Sequence, residues 1–264
     1  TLGADPAADP TPKETPTEIT LDAPKERLDF DGERASPWVR APLWAEHLHR
    51  YLSVLPLAPG KRILDIASGE GYGAAMLHRN APGCSVIGAD VAADIVTRAN
   101  RIYGTDGLQF VTARLSERLP FDSAAFDLVT CLETIEHVLL QDVALSELRR
   151  VLAPGGVLAI STPDADHPAH RNSDNPFHLK ELTLGEFHGL LSQVFAHVVM
   201  GYQRSVTGSV IEFEPASAQM GPIYWERDGW ATYRSGSRLP NPSYFIALAS
   251  DRPLVGAASG TLHD

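Results

Sequence analysis

The stretch "ILDIASGEGYG", residues 63–73, decides the fold because an apolar run passes directly into a glycine-rich turn. The run "ILDI" is typical of a buried strand, and the residues from Gly69 to Gly73 include three glycines that let the backbone approach a ligand. In a doubly wound sheet, the turn between the first strand and its helix lies at the ligand-binding crevice. The stretch therefore predicts a nucleotide-like ligand at this turn.

The rest of the chain alternates strand and helix patterns. Apolar runs predict strands at 61–67, 84–90, 108–113, 126–133, 157–162, 197–203 and 243–250. Helical patterns occupy 36–55, 73–80, 92–103, 142–152 and 183–195, and "APGG" at 153–156 is expected to break the chain. This order predicts an α/β fold with a doubly wound, seven-stranded, mostly parallel sheet, an N-terminal helical cover and an insertion between the last two strands.

Composition divides the chain into three parts. Residues 1–27 are rich in Pro, Thr and Asp and are expected to form a flexible arm. We expect residues 28–250 to form one catalytic domain and 251–264 a tail. Within the domain, the insertion 204–242 carries the aromatic residues Tyr224, Trp225, Trp230 and Tyr233, so we expect it to cover the acceptor side of a pocket.

Charge and cysteine content narrow the partners. A formal net charge of -11 disfavours nucleic acid, because binding phosphates needs a basic surface. No apolar run is long enough to cross a bilayer and no signal peptide is visible, so a membrane is not expected. Cys84 and Cys131 show no paired spacing, which fits a reducing compartment and a cytoplasmic location. A homo-oligomer stays open.

Two carboxylates flank the glycine turn. Asp65 lies inside the first strand and could orient the loop or hold an ammonium group. Asp90 ends the second strand, where an acid can accept both hydroxyls of a ribose. Each could instead be an ordinary structural acid. The dinucleotide pattern G-x-G-x-x-G is absent, so the pair of acids favours a nucleoside that carries an amino acid.

Four segments in order resemble the motifs of class I S-adenosylmethionine-dependent methyltransferases: "LDIASGEGYG", "VIGADV", "FDLVTCLETIEHV" and "LRRVLAPGGVLAIST". Ala67 replaces the commonest glycine, and Arg114 stands where many members carry an acid near the adenine, so that apolar contacts around Ala113 would hold the base. The resemblance implies S-adenosylmethionine as cofactor. It implies these cofactor-binding residues: Asp65, Ala67, Gly69, Gly71, Asp90, Val91, Ala113, Arg114 and Leu132.

Outer segments from "DFDGERASPW" to "GYQRSVTGS" resemble bacterial methyltransferases of glycan and glycosylated natural-product pathways. This resemblance implies O-methylation of a sugar or a glycosylated small molecule. The helix "EHLHRYL" is expected to cover the cofactor, with His47 facing the pocket and Glu46, Arg50 and Tyr51 as further candidates.

"LETIEHV" predicts a second cluster at the end of the fourth strand. If a helix begins there, Glu133, Glu136 and His137 share one face, and a distant His178 could complete a divalent-cation site. The cluster resembles the E-x-x-E-H metal site of small-RNA 2'-O-methyltransferases and a similar one in O-methyltransferases of ubiquinone biosynthesis. Mg²⁺ or Mn²⁺ would fit the carboxylates, and Zn²⁺ or Fe²⁺ the imidazoles.

Without a metal, the two glutamates would favour a helix N-terminus and His137 would act as general base, with Glu136 as the second catalytic candidate. Two other functions stay open. A catalytically silent cofactor-binding or scaffold protein would bind the cofactor without transferring its methyl group. An NAD-dependent sugar-modifying enzyme would need a Tyr-x-x-x-Lys pair, which the sequence lacks.

Overall fold

The structure, a computed structural model, describes residues 19–21, 42–171, 175–206, 224–227 and 233–254. These residues fall into two compact units: residues 20–205 with 241–254, and residue 19 with the described part of 206–240. Most of the predicted arm and tail, and Trp230 of the insertion, lie outside the described residues. Within the arm, the Thr20 amide donates to Asn80 Oδ1 at 3.1 Å, and Asn80 Nδ2 donates to the Thr20 carbonyl at 3.0 Å.

The larger unit contains the predicted seven-stranded sheet, in the order β3-β2-β1-β4-β5-β9-β6. The strands are β1 Arg62–Ile66, β2 Ser85–Asp90, β3 Leu108–Thr112, β4 Phe126–Cys131, β5 Leu152–Pro163, β6 His197–Gln203 and β9 Tyr244–Ser250. Strands β1 to β5 pair in parallel, and β9 runs antiparallel to both β5 and β6. The strand order reverses between β1 and β4, so a ligand crevice is expected at their carboxyl ends.

Helices cover the sheet: α1 Pro42–Val54, α2 Tyr72–Asn80, α3 Ala93–Tyr103, α4 Gln141–Val151, α5 Pro168–Arg171 and α6 Leu184–Ser192. Short 3-10 turns occupy Leu55–Leu57 and Ile135–His137. The central strands are apolar because both faces of a parallel sheet are covered. In β1, for example, the four residues after Arg62 are all buried. None of the described helices is long and apolar enough to span a membrane.

Three elements differ from the sequence predictions. "APGG" does not break the chain, because β5 begins at Leu152 and its ladder with β4 absorbs the irregularity as a register shift between Phe126 and Leu128. After β5 the chain forms the one-turn helix α5, where the sequence patterns indicated no helix. In the smaller unit, β7 Tyr224–Arg227 and β8 Tyr233–Gly236 form an antiparallel pair that the sequence did not predict.

Candidate functional site

The glycine turn closes on its own backbone at the carboxyl end of β1. The Gly71 amide donates to the Ser68 carbonyl at 3.0 Å, and the Ser68 amide donates to the Ala89 carbonyl at the end of β2 at 3.0 Å. Ala67, Gly69 and Gly71 all have positive φ, at 57°, 52° and 90°. This conformation costs alanine more than glycine, because its Cβ approaches the backbone. The turn therefore explains why glycine is the commonest residue at the position of Ala67.

Asp90 fastens the turn to the second strand. Its Oδ2 accepts from the Gly69 amide at 2.9 Å, and its Oδ1 accepts from the Ala92 amide at 3.0 Å. The side chain is buried beside the turn. Each carboxylate oxygen keeps a second lone pair after these bonds, so Asp90 can also accept the hydroxyls of a diol.

Asp65 is more deeply buried than Asp90 and accepts hydrogen bonds from other side chains. Thr130 Oγ1 donates to its Oδ1 at 2.6 Å, and the hydroxyl of Tyr51 lies 3.1 Å from each carboxylate oxygen. Burial raises the pKa of Asp65 to about 7, while the Thr130 and Tyr51 hydroxyls and the Ala74 amide oppose the rise. These contacts join Asp65 to α1, β4 and α2, and both its loop-orienting role and its contact with an ammonium group stay predictions.

Tyr51 reaches Asp65 because α2 has no side chain at Gly73. A Cβ built at Gly73 would lie 2.0 Å from Cζ of Tyr51, so the ring occupies that space. Tyr72 packs edge-on against Tyr51 with ring centroids 5.8 Å apart. Helix α1 thus packs against the glycine turn, and its role as the cover of the cofactor stays a prediction. The sequence offered Tyr51 only as a candidate. Thr130, the other partner of Asp65, was missed although it is a polar residue in an apolar strand.

Of the other residues predicted to bind the cofactor, Val91 directly follows Asp90 in the chain and Ala113 bonds to the Asp90 backbone. Ala113 and Leu132 are buried, whereas Val91 is 46% exposed and could cover a flat ligand. The Ala113 amide donates to the Asp90 carbonyl at 3.0 Å. Arg114 is an exposed side chain with its Nε 3.4 Å from Glu117. Contact between Arg114 and an adenine stays a prediction.

The helix predicted to begin at Glu133 does not form. Glu133 has a positive φ of 49°, which takes the chain out of β4, and only a 3-10 turn follows at Ile135–His137. The side chain of Glu133 turns to other partners: its Oε1 accepts from Ser161 Oγ at 2.6 Å, and its Oε2 lies 3.6 Å from a nitrogen of Arg50. The four-ligand metal set is therefore corrected, because Glu133 lies outside the cluster that the structure forms.

Glu136, His137 and His178 do come together, with one ligand atom from each within 4.8 Å of the others. The segment that carries His178 is held against the 3-10 turn, because the amides of Leu179 and Lys180 both donate to the Glu136 carbonyl, at 2.8 and 3.0 Å. Burial and then the charge of Glu133 raise the pKa of the Glu136 carboxyl well above its usual range. Displacing a proton from a buried carboxyl is a task suited to a cation.

Both histidines have one ring nitrogen occupied by an oxygen acceptor. His137 Nδ1 lies 2.9 Å from the Phe177 carbonyl, which can only accept, so this nitrogen carries the proton. His178 Nδ1 lies 2.6 Å from Glu181 Oε1, an arrangement that also favours a proton on Nδ1. Each Nε2 is then left as an acceptor, and His137 Nε2 lies 3.9 Å from Glu136 Oε1. Histidines held in this way are oriented for a metal or for a proton.

That His47 faces the pocket stays a prediction. Burial, with Arg50 adding to it, lowers the pKa of His47 to about 3. Glu46 is tied to the region after β6, because its carbonyl accepts from Gln203 at 2.9 Å and its carboxylate from Ser205 at 2.7 Å. Ser161 and Glu181, which hold Glu133 and His178, were missed by the sequence interpretation.

Residues 64–160 match a family model described as a methyltransferase domain. The demethylmenaquinone methyltransferase of Thermus thermophilus is 44% identical over 102 residues, which cover 38% of this chain and 46% of that protein. A protein of Mycolicibacterium smegmatis, named "Probable S-adenosylmethionine-dependent methyltransferase", is 33% identical over 168 residues, which cover 62% and 63%. The chain thus spans less than two thirds of the length of these curated relatives.

Among solved structures, an S-adenosylmethionine-dependent methyltransferase from Mesorhizobium loti matches with a TM-score of 0.53 and 19% identity, covering 78% of this chain and 97% of that one. The chain therefore has the Rossmann-like fold of this class. The family match over residues 64–160 and the fold are what this chain shares with S-adenosylmethionine-dependent methyltransferases.

Proposed function

We propose that the protein transfers the methyl group of S-adenosylmethionine to a hydroxyl of a small molecule. The observation that carries the proposal is the Glu136–His137–His178 cluster at the end of β4, the strand beside β1 and its glycine turn. The turn with Asp90 offers a nucleoside site, and the cluster offers groups that can bind and deprotonate a hydroxyl.

The reaction is an in-line displacement. The acceptor oxygen attacks the methyl carbon, the carbon–sulfur bond breaks with its electron pair going to sulfur, and S-adenosylhomocysteine leaves. The protein has to align oxygen, carbon and sulfur and to remove the hydroxyl proton. His137 Nε2 is suited to take that proton, because the bond from Nδ1 to the Phe177 carbonyl sets the tautomer.

The same cluster fits a divalent cation. Two ligands bound to one cation at about 2.1 Å are separated by at most about 4.2 Å, so the cluster, whose ligand atoms lie within 4.8 Å of one another, would contract around a bound ion. Glu136, His137 and His178 would hold the ion, which could be Mg²⁺, Mn²⁺, Zn²⁺ or Fe²⁺. When bound, it would lower the pKa of the acceptor hydroxyl.

The acceptor is proposed to be a sugar or a glycosylated small molecule, as in natural-product or glycan pathways. This part rests on the resemblance of the outer sequence segments. The relatives carry other names, namely demethylmenaquinone, trans-aconitate and fatty-acid methyltransferases. The insertion at 204–242 is proposed as the acceptor-side cover on the strength of its aromatic residues.

Calorimetry with S-adenosylhomocysteine and with NAD tests the cofactor, and only the former is expected to bind. Transfer of a labelled methyl group to a panel of sugars and aglycones then tests the reaction. Cofactor binding without transfer to any acceptor would favour the catalytically silent protein.

Chelation tests the metal. With a cation in the cluster, a chelator should suppress transfer without displacing the cofactor, and added Mg²⁺ or Mn²⁺ should restore it. Glu136→Ala and His178→Ala should each have the effect of the chelator. Full activity in chelator, combined with an inactive His137→Ala variant, would establish the metal-free general-base mechanism.

A further inference from the structure

Arg50 on α1 is completely buried, yet its donors are unused. Its side chain is 0% exposed, and none of its three nitrogens has a hydrogen-bond partner among the residues that the structure describes. Its ion-pair partner is Glu133, whose Oε2 lies 3.6 Å from one terminal nitrogen. A charge-assisted hydrogen bond would be about 2.7–2.9 Å long. Buried donors left in this state cost free energy, so the arrangement calls for a partner.

Arg150 on α4 shows what a structural arginine does in the same fold. Its Nε donates to Glu147 Oε2 at 2.8 Å, and its terminal nitrogens donate to the carbonyls of Phe121 and Leu119 at 2.9 and 3.2 Å. Arg150 thus joins α4 to the loop before β4 with its donors used. Arg50 makes no such connection, so packing alone does not account for its guanidinium group.

Arg50 packs against an aromatic ring and lies close to both halves of the site. Its Cζ lies over the Tyr244 ring, 4.4 Å from the ring centroid. A guanidinium group donates in its own plane, in the fork geometry that matches a carboxylate. Its neighbour Tyr51 contacts Asp65 under the glycine turn, and Glu133 precedes the Glu136 cluster. Arg50 therefore lies between the two halves of the site.

Glu133 can lose its ion pair with Arg50 and still be held in position by other contacts. Ser161 Oγ donates to Glu133 Oε1 at 2.6 Å and accepts from the Glu133 amide at 2.9 Å. The carboxylate is thus held by β5 whether or not Arg50 is beside it. The negative charge of Glu133 also disfavours a doubly charged phosphate here more than a singly charged carboxylate, since like charges repel in a buried site.

We propose that Arg50 is a carboxylate-binding residue of the site, which exchanges its long ion pair with Glu133 for a bidentate bond to the carboxylate of a bound small molecule. The inference rests on the proposed function. In a methyl transfer reaction, this carboxylate could belong to the amino-acid end of S-adenosylmethionine or to the acceptor.

The first arm of the test compares two cofactor analogues by calorimetry. S-adenosylhomocysteine carries the carboxylate, and 5'-methylthioadenosine lacks the whole amino-acid end. If the carboxylate belongs to the cofactor, Arg50→Met should weaken the binding of S-adenosylhomocysteine about 10- to 100-fold, as expected for lost charge-assisted bonds. The binding of 5'-methylthioadenosine should be unchanged. Arg50→Lys should lie in between, because it keeps the charge but loses the fork.

The second arm uses protein saturated with S-adenosylhomocysteine and compares benzoate with its neutral analogue benzamide at constant ionic strength. If the carboxylate belongs to the acceptor, benzoate should raise the melting temperature of the wild type more than benzamide does, and Arg50→Met should abolish that difference. Arg62→Met is the matched control, because Arg62 is an exposed arginine paired with Asp127 at the start of β1. It should behave as the wild type in both arms.

No selective effect of Arg50→Met or Arg50→Lys in either arm would overturn the inference while leaving the methyltransferase proposal in place. If the wild type failed to bind S-adenosylhomocysteine at all, the proposed function itself would fail. If Arg50→Met does not fold, Arg50→Lys decides, because loss of the fork alone should still separate S-adenosylhomocysteine from 5'-methylthioadenosine, or benzoate from benzamide.

Discussion

The turn after β1 and the turn after β4 start in the same way and are stabilised differently. Each begins with a non-glycine residue at positive φ just after a central parallel strand, Ala67 at 57° and Glu133 at 49°. The first turn is held mainly by its own backbone and by Asp90. The second is held by partners far along the chain, including Ser161 and the segment around His178. A site can thus combine a locally specified half with a half that depends on tertiary contacts.

The largest effect is expected from His137→Ala, which removes the proposed proton acceptor on the β4 side alone. Turnover should fall by about 10²- to 10⁴-fold, the usual contribution of general acid–base catalysis. Binding of S-adenosylhomocysteine should be unchanged, since the glycine turn does not depend on His137. Labelled-methyl transfer and calorimetry measure the two quantities. His188→Ala on the exposed face of α6 is the control, and equal activity of the two variants would remove His137 from the mechanism.

The second effect is the pH dependence of the free energy of unfolding that Asp65, in β1, is expected to cause. Because the pKa of Asp65 is raised from 3.8 to about 7, the folded state keeps a proton that the unfolded state releases. The contribution of Asp65 to stability is therefore greatest below about pH 4, falls as the pH rises to about 7, and is constant above. The fall should amount to a few kcal/mol at most.

Urea unfolding of the wild type and Asp65→Asn across this pH range measures that contribution as a difference. His47, whose lowered pKa makes stability rise with pH between about 3 and 6.5, is present in both proteins and cancels. A difference between the two proteins that does not change with pH would show that Asp65 is ionised throughout.

The third effect tests the packing of α1 over the glycine turn. Gly73→Ala would place a methyl group where the Tyr51 ring lies, so Tyr51 must leave Asp65. We expect a loss of about 1–3 kcal/mol in the free energy of unfolding, as for other overpacked cores. Gly189→Ala in α6, where no atom lies within 4 Å of the added Cβ, should instead be stabilising by up to about 1 kcal/mol. Similar values for the two variants would contradict the packing of Tyr51.

The smallest effect separates the two positive-φ residues. Ala67→Gly should stabilise the protein by about 1 kcal/mol, because glycine adopts the left-handed conformation without steric cost. Glu133→Gly should not show this gain, because it removes the side chain that bonds Ser161 and faces Arg50. Denaturant unfolding of both variants decides. Stabilisation by Glu133→Gly would mean that its long-range contacts contribute little.

The sequence by itself was sufficient for the sheet and for the placement of Asp90 beside the glycine turn. Strands β1 to β4 were predicted within a few residues, because each is a short apolar run followed by turn or loop residues. Asp90 could be placed beside Gly69 because a strand end and the neighbouring glycine turn meet at one edge of a parallel sheet. These features depend on residues close in sequence and on a repeated strand–helix geometry.

Only the tertiary structure decided the other half. Helical spacing put Glu133 with Glu136 and His137, but the positive φ of Glu133 turned it toward Arg50 and Ser161 instead. The partners of Asp65, from α1 and β4, likewise carry no local signal. Such contacts join segments tens of residues apart, and their register is set by how helices and strands pack rather than by any pattern along the chain.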